Sequence, residues 1–161
     1  MKLTAKTDIE APASFVYANL IDHAAWEREM ARRGAEIERP ADMPLSGIGA
    51  GWRIRVPFRG KVRKFLVRIE DMSPDALLVF GIDGQAIEGN AVLELLPMSP
   101  RRTRLRMALE VKPKTLAARL FLNTLRLAKG KVQARLEKRL EQLGGRIMAN
   151  HEASRAPVEK V

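Results

Sequence analysis

The chain has 161 residues, enough for one domain that buries roughly 70% of its unfolded surface and for little beyond it. Apolar residues make up 46% and charged residues 30%, a globular balance that excludes a wholly disordered chain, and the absence of cysteine excludes disulfides, thiolate metal sites and cysteine nucleophiles. Lys and Arg number 29 against 19 Asp and Glu, so the formal charge of +10 points to an anionic partner: nucleic acid, a lipid surface or an acidic protein.

Leu3, Ala5, Thr7 and Ile9 alternate with Lys6, Asp8 and Glu10, which predicts a half-buried strand over 2–9. Ala11-Pro12 ends it, and Pro12 suits the first turn of a helix because its missing N–H would have no partner there. Phe15, Val16, Asn19 and Leu20 recur at helical spacing. Asp22 is placed to cap a second short helix with Trp26 and Met30 at i and i+4, and Gly34 closes it. The opening residues lack the apolar stretch of a signal peptide, and no run of about 18 apolar residues occurs anywhere, so a cytoplasmic location is expected.

A brief strand is expected over 35–39, then a loop rich in breakers: Pro40, Pro44, Gly47, Gly49 and Gly51. The glycines of Gly47-Ile48-Gly49-Ala50-Gly51 lead into a strand, whereas a phosphate loop must open a helix, so a nucleotide site is not read here. Trp52, Ile54, Val56 and Phe58 alternate with Arg53, Arg55, Pro57 and Arg59. A two-residue turn at Arg59-Gly60 pairs Phe58 with Lys61, which sets Ile54 opposite Phe65 and Trp52 opposite Val67 on one apolar face. Arg53, Arg55, Lys64 and Arg68 share the other side, with Arg55 facing Lys64.

Ser73-Pro74-Asp75 marks a turn, a strand follows over 77–82, and Asp83-Gly84 starts another hairpin that returns over 87–96. Thr103, Leu105, Met107, Leu109 and Val111 then alternate with Arg102, Arg104, Arg106 and Glu110. From 116 to 143 the spacing predicts a single long helix closed by Gly144-Gly145. Phe121, Leu125, Ala128, Val132, Leu136 and Leu143 form one stripe of it, Leu116, Leu120 and Leu127 lie nearly opposite, and Gly130 allows a bend. The expected organisation is one domain over 1–145 with a polar, mobile tail over 146–161. Short turns between strands make an antiparallel meander, and the long helix must bury its stripe against that sheet, so the fold class is α+β.

Few residues qualify for chemistry. His23 has Asp22 beside it and Glu27 at i+4, too few ligands for a metal site; with His151 the only other histidine, no metal and no cofactor are expected. A surface position suits His23, and core packing with a satisfied hydroxyl suits Tyr17, the only tyrosine. The arginine rows read as a solvated outer face. Aromatic residues are only 5% and fall on the apolar strand faces, whereas a single-strand binder stacks bases beside its cations, so nucleic acid is disfavoured.

A strand ending Ile9-Glu10-Ala11-Pro12, then Phe15-Val16-Tyr17, then Leu20-Ile21-Asp22 with Trp26 following, and a long terminal helix: in this order the motifs resemble the SRPBCC superfamily, the START and polyketide cyclase/dehydrase-like proteins, over about Met1 to Gly145. The resemblance implies the helix-grip fold, a curved antiparallel sheet wrapped around the C-terminal helix, with two short helices after the first strand and an apolar cavity between sheet and helix. In this chain the cavity would be lined by Trp52, Ile54, Val56, Phe58, Phe65, Val67, Leu93, Leu95, Leu105, Met107, Leu109, Phe121 and Leu125. The implied function is binding, transport or sensing of a lipid, quinone or polyketide-like molecule without catalysis. The alternative is a cyclase or dehydratase using Tyr17, Glu88 or Asn90, and a third reading is an interaction module. The family's cyclase residues and histidine-rich iron ligands find no match here. Arg119, Arg126 and Lys129 interleave with Leu116, Leu120 and Leu127, from which reversible contact with an anionic membrane is expected; a homodimer is the competing use of those leucines.

Overall fold

The computed structural model describes residues 1–155. Its seven strands form one antiparallel sheet in the order β1-β7-β6-β5-β4-β3-β2: β1 (Lys2–Ile9), β2 (Glu36–Glu38), β3 (Gly51–Phe58), β4 (Lys61–Ser73), β5 (Leu77–Gly84), β6 (Ile87–Ser99) and β7 (Arg102–Pro113). Helices α1 (Ala13–Leu20) and α2 (His23–Arg32) follow β1, and α3 (Leu116–Leu127) and α4 (Lys129–Arg155) follow β7. The α+β class and the grip of a curved sheet on a terminal helix are as expected. Among the described residues no helix is long and apolar enough to cross a membrane.

Local signals account for the elements. Pro12 precedes α1, and the Asp22 carboxylate accepts from the Ala25 N–H at 3.1 Å, satisfying one of the free donors at the start of α2. Arg59 and Gly60 take φ of 53° and 76°, the two positive values that a tight right-twisting hairpin requires. The register follows: Phe58 opposite Lys61, Ile54 opposite Phe65, Trp52 opposite Val67.

That parity propagates across the sheet. Leu3, Leu109, Ala91, Phe80 and Ile69 are successive cross-strand partners, and Ala5, Met107, Leu93 and Leu78 form a parallel row, all on the inner face that meets the helices. Ile9, Val16, Trp52, Ile69, Leu78, Leu105 and Ile147 are almost wholly buried there. Thr103, the one buried polar residue of the core among the described residues, donates from Oγ1 to the Ala11 carbonyl at 2.8 Å.

The C-terminal helix departs from expectation in three ways. It breaks at Ala128 rather than bending at Gly130; Ala128 has φ −107° and ψ 24°, a backbone conformation that needs no glycine. The break lets α3 lie over β7 while α4 runs along β1. Nor does Gly144-Gly145 close the helix. Gly144 is buried where α4 crosses β1, and a Cβ there would stand 3.2 Å from Thr7 Cγ2 and 3.3 Å from Ile9 Cγ1, so the glycine is a close-approach point. Finally, 146–155 is docked helix instead of a mobile tail: Arg146 pairs with Glu29 at 3.1 Å, Ile147 is buried, Asn150 donates to Asn19 at 3.0 Å, and His151 meets the Phe15 ring edge-on at 4.8 Å. The rest of that expected tail, 156–161, lies outside the described residues.

Candidate functional site

The inner sheet face divides into a filled end and a partly open one. At the filled end, beneath α1 and α2, Trp52, Ile54, Leu93, Leu95 and Leu105 are buried in the core. These five expected cavity residues are structural in this conformation. Toward α3, Val56, Phe65, Val67, Met107 and Leu109 are half-buried, as are Phe121 and Leu125 on α3 itself. Phe58 is 47% exposed at the hairpin tip, where its ring centroid is 5.8 Å from that of Phe121, and the Arg59 guanidinium lies over Phe121 at 4.3 Å. The β3–β4 tip and α3 thus meet above the open end.

Three further apolar residues share this face: Phe80, Ile82 and Val111, all half-buried. Val111 ends the alternating row of β7, but Phe80 and Ile82 escape a sequence reading because Leu77 to Ile82 is apolar on both sides, so alternation assigns neither face. A bulge between Ile69 and Asp71 also shifts the β4–β5 register by one residue. The signal available was the return strand, where Ala91, Leu93 and Leu95 set the parity. Room for the Phe65 ring comes from Gly84: a Cβ there would lie 2.9 Å from Phe65 Cδ1.

A polar cluster closes the filled end. The Trp52 indole N–H donates to Glu27 Oε1 at 2.8 Å, and Arg39 Nε donates to the same oxygen. Arg39 also reaches the Leu45 carbonyl at 3.3 Å, tying the breaker-rich loop to α2. His23, expected at the surface, instead lies half-buried with its ring edge against Trp52 at 4.9 Å, and Trp26 packs on the same indole at 5.1 Å. Burial, helped by the Arg39 charge, holds the His23 imidazole below its ordinary range. Burial pushes Glu27 up, but the hydrogen bonds from Arg39 and Trp52 outweigh it and its carboxyl titrates below the usual range.

The acid–base candidates do not converge. Tyr17 is in the core as expected, 4% exposed, but its hydroxyl has no hydrogen-bond partner; burial, with the charge of Asp75, raises its pKa. Glu88 and Asn90 lie on the opposite, outer side of the sheet, in an open groove of about 440 Å³ shared with Arg68, Glu70 and Lys112. The sheet itself stands between them and Tyr17. Among the described residues no cluster of three or more potential ligands could hold a metal ion.

Part of the outer arginine row is engaged. Arg55 faces Lys64 as expected, yet its other neighbour is Glu36 on β2, and Arg53 likewise faces Glu38. Arg104 and Arg102 reach Asp8 at 2.8 and 3.0 Å; the Arg104 hydrogen bond is the main cause of the low Asp8 pKa. Other exposed cations stand elsewhere. Arg119, Arg126 and Lys129 are exposed near Leu116, Leu120 and Leu127, which are 72%, 59% and 91% exposed.

By sequence the chain matches no family model and no curated protein. By structure it is similar to TTHA0849 of Thermus thermophilus, at 21% identity over 93% of this chain and 99% of that one, with a TM-score of 0.68. It is also similar to the Zhui aromatase/cyclase of a Streptomyces species, at 15% identity over 98% and 99% with a TM-score of 0.70. A START superfamily protein of Mycobacterium smegmatis aligns at 20% identity over 88% and 98% with a TM-score of 0.55. At such identities the likeness speaks for architecture alone. Seven antiparallel strands closing on a broken C-terminal helix, with two short helices after β1, make this a helix-grip fold, the architecture it shares with those solved structures.

Proposed function

We propose that the chain binds a small apolar molecule, a lipid, quinone or polyketide-like compound, on the inner sheet face beneath α3, without transforming it. One observation carries this reading. Half-buried apolar side chains from β3, β4, β5, β7 and α3 (Val56, Val67, Phe80, Met107 and Leu125 among them) converge on one strip. Such a strip favours a ligand by roughly 25 cal/mol per Å² of apolar surface withdrawn from water. Catalysis needs positioned polar groups around a reacting centre. Tyr17 is sealed in the core and Glu88 and Asn90 face away, so the aromatase/cyclase relationship is one of fold.

The test is binding of an environment-sensitive apolar dye to the folded chain, with displacement by a fatty acid or quinone. Val67→Trp fills the strip from β4 and is expected to weaken dye binding at least tenfold while the melting temperature changes little. Dye that binds only as the chain unfolds overturns the proposal.

A further inference from the structure

Beyond ligand binding, and independently of it, we propose that α3 and the β3–β4 hairpin tip form a docking surface for an anionic lipid membrane. At 100° per residue Leu116, Leu120 and Leu127 fall within an arc of about 40°, nearly opposite Ala118, Leu122 and Leu125, which pack inward. The helix is therefore apolar on two faces, and the fold covers one. On the outward face Leu127 is 91% exposed and Leu116 72%. The adjoining tip adds Phe58, 47% exposed, which touches α3 through Phe121.

Along both segments the charge has one sign; the neighbouring carboxylate, Glu110 of β7, shares a hollow with Arg126 and Lys129 and is paired with Lys2 and Lys112. Neither 51–69, which spans the hairpin, nor 111–136, which spans α3, contains a carboxylate. Arg59, Lys61, Arg63, Arg119, Arg126 and Lys129 make no ion pair with any described residue. Several arginines elsewhere are paired: Asp8 holds Arg102 and Arg104, and Glu29 holds Arg32, Arg33 and Arg146. Among the described residues, unpaired cations occur on other surfaces too, but only here do they stand beside exposed leucines on segments that carry no carboxylate. An apolar strip rimmed by cations matches a headgroup boundary, where apolar side chains enter the acyl edge and cations stay among the phosphates.

A second copy fits less well. A stable interface takes about 800 Å² from each partner, far more than three leucines offer, and a two-fold contact through this strip would set Arg119 and Arg126 against their own counterparts.

The experiment is co-sedimentation of the full chain with vesicles of phosphatidylcholine alone or in equal parts with phosphatidylserine, at low and high salt. Binding to the anionic vesicles is expected to fall steeply with salt. At roughly fivefold per cation, Arg119→Gln with Arg126→Gln should weaken partitioning by about 25-fold. Arg101→Gln with Arg106→Gln removes equal charge from the β6–β7 side and should weaken it far less. Leu120→Gln with Leu127→Gln should reduce binding without lowering the melting temperature, since both side chains are already in water. Equal loss in the two arginine pairs, no binding, or equal binding to neutral vesicles overturns the proposal. So does a dimer by light scattering that the leucine pair dissociates.

Discussion

Glu27 is where three separate segments meet, because its Oε1 accepts from Trp52 on β3 and from Arg39 in the loop after β2. Trp52 is 1% exposed, so removing the acceptor strands a buried indole N–H and a guanidinium together. Glu27→Ala should cost about 1–3 kcal/mol in urea denaturation, the usual penalty for an orphaned buried donor. The same cluster sets an acid limit. His23 is held below its ordinary value of 6.5, so the folded chain resists its protonation. That contribution is complete above pH 6.5 and is lost as the pH falls through the lowered folded value; Asp8 and Glu27, also lowered, add theirs at still lower pH. The melting temperature should therefore drop as the pH falls below 6.5, and His23→Phe should flatten that drop. Sequence showed only that Asp22 and Glu27 flank His23. The indole that buries the ring arrives from 29 positions further along the chain, which local spacing does not register.

Elements were legible where two constraints agreed. The β3–β4 hairpin could be read to single-residue register because strict alternation and the Arg59-Gly60 turn specify the same pairing. For β5, apolar on both sides and displaced by the bulge at Glu70, neither constraint was available. Glycine misled at the end of the chain, since the pair that marks many helix ends here occupies a crossing point. The two glycines should respond oppositely. Gly145 has nothing within 4 Å of an added Cβ, so Gly145→Ala should stabilise by about 0.5–1 kcal/mol through helix propensity. Gly144→Leu must push α4 off Thr7 and Ile9, and thermal melts should show a clear loss. As for the candidate site, Val56, Phe65, Val67, Met107 and Leu109 were legible from parity, but parity cannot tell which inner-face residues the α1–α2 end fills.

For the whole molecule, a ligand seated beneath α3 would join the sheet to the helix above it. Any molecule that binds the folded chain and not the unfolded one stabilises it, by about 2.7 kcal/mol at 100 times its Kd. Denaturation with rising fatty acid should accordingly show a graded shift, absent in Val67→Trp. The sheet order has a further consequence, for how the chain comes into being. Strand β1 hydrogen-bonds only to β7, which follows every other strand of the sheet, and it is covered by α4, which follows β7. Until then Leu3, Ala5 and Ile9 have no strand partner, and the emerging chain must protect an unpaired, half-apolar strand while the five strands between are made. Nascent chains stalled before Arg102 should be cut by protease within β1, and chains extended past Arg155 should resist, so the ribosome holds an open edge until the strand that closes it has emerged.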